Sequence, residues 1–164
     1  MMMLLQFTVG NFRTFKDPAT LSLVASNYDK DTREAENIFD SQQNRLRLLK
    51  SAVIYGANAS GKSKLLEAMA FMRHFAINSS KDTQIGDSIP VRPFLLSSET
   101  THAPSEFEIV FLFEGALFRY GFEATAEKIV SEWLYHKPKT KEIELFYRED
   151  GQFEVNARKF PKGM

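Results

Sequence analysis

The residues of this chain best suited to chemistry stand together in GANASGKS, from Gly56 to Ser63. Gly56, Gly61, Lys62 and Ser63 satisfy the spacing G-x-x-x-x-G-K-[ST]. A loop of this kind can grip phosphate. Its glycines take backbone angles that other residues resist, and they let the chain approach an anion closely. Successive backbone N–H groups can then face the phosphate oxygens. A helix that begins at the loop adds its positive end. Lys62 is expected to reach the β- and γ-phosphates of a nucleotide, and the Ser63 hydroxyl to ligate a bridging Mg²⁺. The bare pattern arises by chance in well under about one in a hundred chains of this length. The bland reading is a glycine-rich turn that binds nothing.

Such a loop needs a strand before it and a helix after it. Leu48 to Tyr55 is a short apolar run, expected as a strand buried on both faces. Gly61 to Ile77 reads as a helix. Leu65, Met69, Met72 and Ala76 form one apolar stripe, which Leu66, Ala70 and Phe75 widen, so the helix is expected to be well buried. Asn78-Ser79-Ser80 is the expected stop.

On either side the periodicity changes to two. Leu5, Phe7 and Val9 alternate with polar neighbours, and Leu21 to Val24 suggests a partner strand after the Asp17-Pro18 turn. Residues 27–44 are polar and expected as a loop with a short helix near Glu34 to Phe39. Later come alternating runs at Phe107 to Phe113, Ala116 to Phe122, Ile129 to Tyr135, Ile143 to Tyr147 and Phe153 to Val155. Glu114-Gly115 and Asp150-Gly151 stand between them as hairpin signals. The fold class expected is α/β: a phosphate-loop lobe, with a mixed sheet, flanking antiparallel strands and one central buried helix after the loop.

Composition bounds the rest. The chain has 164 residues, 43% apolar and 26% charged, which suits one globular domain or one lobe of a larger one. Lys plus Arg equals Asp plus Glu at 21 each, so net charge gives no general grip on nucleic acid. There is no cysteine, which excludes thiolate metal sites and cysteine nucleophiles and fits a reducing, cytoplasmic compartment. The start, MMMLLQFTVG, lacks the basic region of a signal peptide. No apolar run reaches the roughly 18 residues of a membrane span.

GANASGKS, with Asn58 at its third position, resembles the loop of ABC-superfamily ATPases on the SMC, RecF and OLD side. LLQFTVGNFRTFKD resembles their first strand and turn. The polar insert, the VRPFLL segment and the Phe-rich hairpins are similar, more narrowly, to AAA-domain, OLD-like ATPases of bacteria, several of them in phage-defence or toxin-type systems beside a nuclease. The likeness spans most of the chain, and the phosphate loop is its sharp part. It implies that Gly56, Ala57, Asn58, Ala59, Ser60, Gly61, Lys62 and Ser63 hold the phosphates of ATP with Mg²⁺. It also implies that Asn11 and Arg13 lie near the nucleotide, Arg13 beside a phosphate or the base. A solvated turn is the plain alternative for Arg13.

In that family hydrolysis uses an acidic strand end, a Ser-Gly-Gly signature from a partner head and a late His. Glu114 follows an apolar strand but no Asp precedes it, so a hairpin tip is the better reading. No Ser-Gly-Gly occurs, and His74, His102 and His136 read as surface residues. Gln84 and Gln152 sit in a polar loop and after a turn. Residues 1–164 are therefore expected as a single N-terminal ATP-binding lobe, an incomplete domain that binds ATP with little hydrolysis of its own. Its partners would be a second ATPase head or a missing C-terminal lobe, with nucleic acid or a nuclease implied by resemblance alone.

Three further clusters have plainer readings. Glu106, Glu108 and Glu123 could pair as carboxylates for a metal, but their alternation marks the solvent face of a sheet. Lys137, Lys139 and Lys141 form a hairpin tip, and Arg45, Arg47 and Lys50 precede the loop strand. The competing functions are a small phosphate-loop kinase or GTPase and a non-enzymatic partner-binding module with a vestigial loop. The chain has no Asn-Lys-x-Asp for guanine and no arginine-rich lid beyond Arg92.

Overall fold

The computed structural model describes residues 2–26, 33–41, 44–82 and 88–160. Alternation at the N-terminus becomes strand β1 (Met2–Gly10), which pairs with β2 (Ala19–Ser22), Phe7 facing Leu21 across the ladder. After them come α1 (Glu34–Asn37), β3 (Ile38–Ser41), β4 (Leu46–Leu49) and the long helix α2 (Lys62–Asp82). The second half is a meander: β5 (Ser105–Phe113), β6 (Ala116–Ala124), β7 (Ile129–Lys137), β8 (Ile143–Glu149) and β9 (Gln152–Val155). The strand order is β2-β1-β5-β6-β7-β8-β9. At Glu114-Gly115 and Asp150-Gly151 both residues take positive φ, the turn that matches the twist of paired strands.

The core follows from period two. Phe7, Val9, Phe107, Ile109 and Phe122 lie on one sheet face, packed with Ala68, Met72 and Phe75 of α2. The rings of Phe75 and Phe122 are 4.3 Å apart, and those of Phe107 and Phe122 5.1 Å. Burying one such ring contributes on the order of 2–3 kcal/mol. Val110, Leu112 and Leu117 point to the opposite face, where Leu48, Leu46 and Phe39 of the β3–β4 hairpin cover them. Helix α2, the seven-stranded sheet and the small hairpin thus form three layers.

Four expectations need correction. The large sheet is not mixed, since every pairing in it is antiparallel. The strand expected from Leu48 to Tyr55 stops at Leu49. Residues 50–56 pair with no strand among the described residues, and Val53 and Tyr55 are 73% and 87% exposed. An apolar run becomes a buried strand only where neighbours close on both sides. Helix α2 is half-covered rather than buried all round. Leu65, Ala68, Met69, Met72 and Phe75 face the sheet, while Leu66, Ala70, Ala76 and Ile77 face outward. It also runs through the expected stop at Asn78-Ser79-Ser80. Gln84 lies outside the described residues. Among the described residues, no helix is long and apolar enough to cross a membrane.

Candidate functional site

The loop from Gly56 to Gly61 leads straight into α2. Ala59 and Gly61 take positive φ, 64° and 93°. The Ser60 amide donates to the Ala57 carbonyl, and the Leu65 amide to Gly61, the first bond of the helix. The amides before Leu65 have no carbonyl a turn earlier within the helix, so they are open donors by geometry. Lys62 bends back over the loop. Its Nζ donates to the carbonyls of Gly56 at 2.7 Å and Ala57 at 2.6 Å, and to Ser60 Oγ at 3.3 Å. A Cβ at Gly56 would stand 2.6 Å from Ser60 Oγ, so the absent side chain makes this closure possible. Ala57, Asn58, Ser60 and Ser63 are all exposed. An ammonium group, a helix N-terminus and a glycine-lined backbone thus share one exposed loop, an environment that favours an anion.

A second element touches this loop. Phe12 and Phe15 exchange backbone hydrogen bonds of 2.9 Å, which closes a tight turn after β1. Thr14 and Phe15 sit against Gly61, where a Cβ would meet Thr14 Oγ1 at 3.2 Å and the Phe15 ring at 3.6 Å. Arg13 stands in the same turn at φ 55°, its amide donating to the Arg92 carbonyl. Its guanidinium lies 5.8 Å from the Phe12 ring centre. Arg13 Nε is 3.6 Å from Glu67 Oε2. Glu67 also accepts from Lys64 Nζ at 2.5 Å, and that hydrogen bond chiefly holds its carboxyl below the usual range, with help from the Lys64 and Arg13 charges.

Asn11 has another place. It is buried, and its Nδ2 donates to the carbonyls of Thr100, Ala103 and Pro104 while Oδ1 accepts from the Phe94 amide. Its own carbonyl accepts from the Ser105 hydroxyl. The Asn11 amide is therefore a joint between the turn and the 94–105 segment, not a group directed at the loop. Glu67, Lys64 and Thr14 escaped the sequence reading. Glu67 lies on the same side of the helix as Ser63, four residues on, but nothing in the sequence announces that Arg13 would meet it.

The remaining candidates have other places in the fold. Gly10 pairs with Glu106 at one end of β5 and Met2 with Phe113 at the other. Glu114 follows the far end, roughly 25 Å along the strand from the turn. It is the hairpin tip that the sequence suggested. Glu108 accepts from Arg119 and from Trp133 Nε1, and Glu123 from Ser131. Burial, then the charges of Glu123 and Glu108, push the Glu106 carboxyl up. No group of three or more such ligands could hold a metal ion among the described residues. Arg47 pairs with Glu34, and Lys50 donates to the Ala35 carbonyl, so two of the basic residues before the loop tie α1 down. Lys139 and Lys141 are exposed at their hairpin tip, His74 and His102 are on the surface, and His136 stacks on Phe118.

An α/β domain with a lysine-capped loop at the head of its main helix is the architecture expected of a nucleotide-binding ATPase. A family model described as "AAA domain, putative AbiEii toxin, Type IV TA system" matches residues 51–162, from just before the loop to the last hairpin. The chain belongs to that AAA-domain family, which makes it an ATPase-like, nucleotide-binding domain. No curated protein matches it.

Proposed function

We propose that this chain is the nucleotide-binding lobe of an SMC- and OLD-like ABC-type ATPase and that it binds Mg-ATP through Gly56 to Ser63. The observation that carries this reading is Lys62 Nζ held over the loop by the Gly56 and Ala57 carbonyls. That geometry keeps an ammonium at the mouth of the loop. The residues present fit the cofactor: the loop is exposed at the N-terminus of α2, and the exposed Ser63 hydroxyl, at the second helical position, would be the protein ligand of Mg²⁺. Magnesium keeps several waters and takes phosphate oxygens, so one hydroxyl suffices from this side. When bound, the metal would neutralise charge on the β- and γ-phosphates.

The lobe binds rather than hydrolyses on this reading, because Glu114 lies remote from the loop. Val53, Ile54 and Tyr55 just before the loop and Leu66 just after it are exposed, which supports a second head or a further lobe against that side. Any toxin-type role rests on the family description alone.

Calorimetric titration of Mg-ATP and Mg-GTP into the chain and a Lys62→Ala variant tests the reading. Mg-ATP is expected to bind and the variant to lose about thirtyfold or more in affinity. Failure of the folded chain to bind ATP would overturn the proposal in favour of a partner-binding module with a vestigial loop.

A further inference from the structure

We infer that Glu67 is a positioning residue for Arg13, holding its guanidinium by one edge so that the other edge is free for a nucleotide phosphate. The inference rests on the Mg-ATP reading of the loop. Three observations carry it. The contact with Glu67 is an ion pair through Arg13 Nε at 3.6 Å, longer than a hydrogen bond, and Nε is buried with no hydrogen-bond partner among the described residues. The two Nη groups, the fork that grips phosphate bidentately, have no partner among the described residues, and the side chain is 31% exposed. The pair also stands beside the loop. Glu67 is four residues after Ser63, about 6 Å along the helix, and the turn that carries Arg13 touches Gly61 through Thr14 and Phe15.

The backbone fixes the base of this arm, and the ion pair with Glu67 draws its end to one side. Arg13 is pinned by its amide to Arg92, and the Asn11 joint anchors the turn from the other side. A long side chain held at both ends loses less rotamer freedom on meeting an anion than a free one does. Lys64, bonded to the other carboxylate oxygen, keeps Glu67 oriented toward Arg13.

The sign of the effect is diagnostic. A carboxylate near a phosphate repels it, so charge alone would make Glu67→Gln bind ATP more tightly. Loss of positioning predicts the reverse. Mg-ATP affinity is to be measured by calorimetry for wild type, Glu67→Gln, Arg13→Ala and the double variant, with melting curves to establish folding. Arg13→Ala is expected to weaken binding about tenfold, and Glu67→Gln about threefold. The Glu67→Gln effect should vanish in the Arg13→Ala background, and Glu67→Asp should restore part of it. Tighter or unchanged binding in Glu67→Gln, or an equal loss in both backgrounds, would overturn the inference while leaving the loop reading intact. No ATP binding by wild type would overturn both.

Discussion

The Lys62 ammonium stands 2.7 Å from the Gly56 carbonyl, so the first residue of the helix is tied to the first residue of the loop. The bond spans an exposed site and contributes little to folding. Lys62→Met should therefore unfold in urea within about 1 kcal/mol of wild type while losing Mg-ATP binding. A large stability loss would mean that the lysine is chiefly structural.

Gly61 combines φ 93° with a Thr14 hydroxyl 3.2 Å from any added Cβ. Gly61→Ala is expected to cost about 1–3 kcal/mol and to weaken ATP binding. Adding Thr14→Ala should relieve the contact but not the backbone strain, so urea melts should show only partial recovery.

Asn11 satisfies four backbone groups while only 8% exposed, and its φ of 46° suits asparagine better than most side chains. Asn11→Ala should lose about 3 kcal/mol in chemical unfolding. Asn11→Asp should lose more at neutral pH, since it sets a carboxylate among three carbonyls, and should recover partly in acid.

Trp133, the one tryptophan, lies over Gly121. A Cβ there would stand 2.5 Å from the indole Cζ2 and 2.8 Å from the Phe107 carbonyl, and the latter is backbone that cannot swing aside. Gly121→Ala is expected to cost up to about 3 kcal/mol and to shift the indole emission, because Trp133 would leave its bond to Glu108. Wild-type emission together with wild-type stability would refute this packing.

Glu106 faces Glu123 directly across the β5–β6 ladder, and burial with that charge raises its carboxyl above the ordinary 4.5. The folded state then holds the proton more tightly than the unfolded one. Its contribution is fully present below the ordinary carboxylate range and is lost as pH rises through the raised value. Glu106→Gln should therefore be more stable than wild type at pH 7, by under about 1 kcal/mol given solvent screening. The difference should shrink as pH falls. Stability measured at pH 4 and pH 7 for both proteins checks the sign.

The sequence by itself determined the loop, the helix start at its end and all five strands of the meander. These features are local: glycines and a lysine at fixed spacing, alternation of Phe with Glu, and turn residues between runs. It also placed Glu114 at a hairpin tip, because Gly115 and a returning strand follow at once. Tertiary structure decided what spacing cannot encode. Residues 50–56 carry the pattern of a buried strand, yet whether they are buried depends on neighbours far along the chain. The half-exposed α2 has the same cause, since an apolar stripe states which face can be covered and not how much of the helix will be. Asn11 and Arg13 are two residues apart, but one anchors the 94–105 segment and the other reaches Glu67. That divergence follows from the left-handed turn after β1 and the segments that it meets in three dimensions.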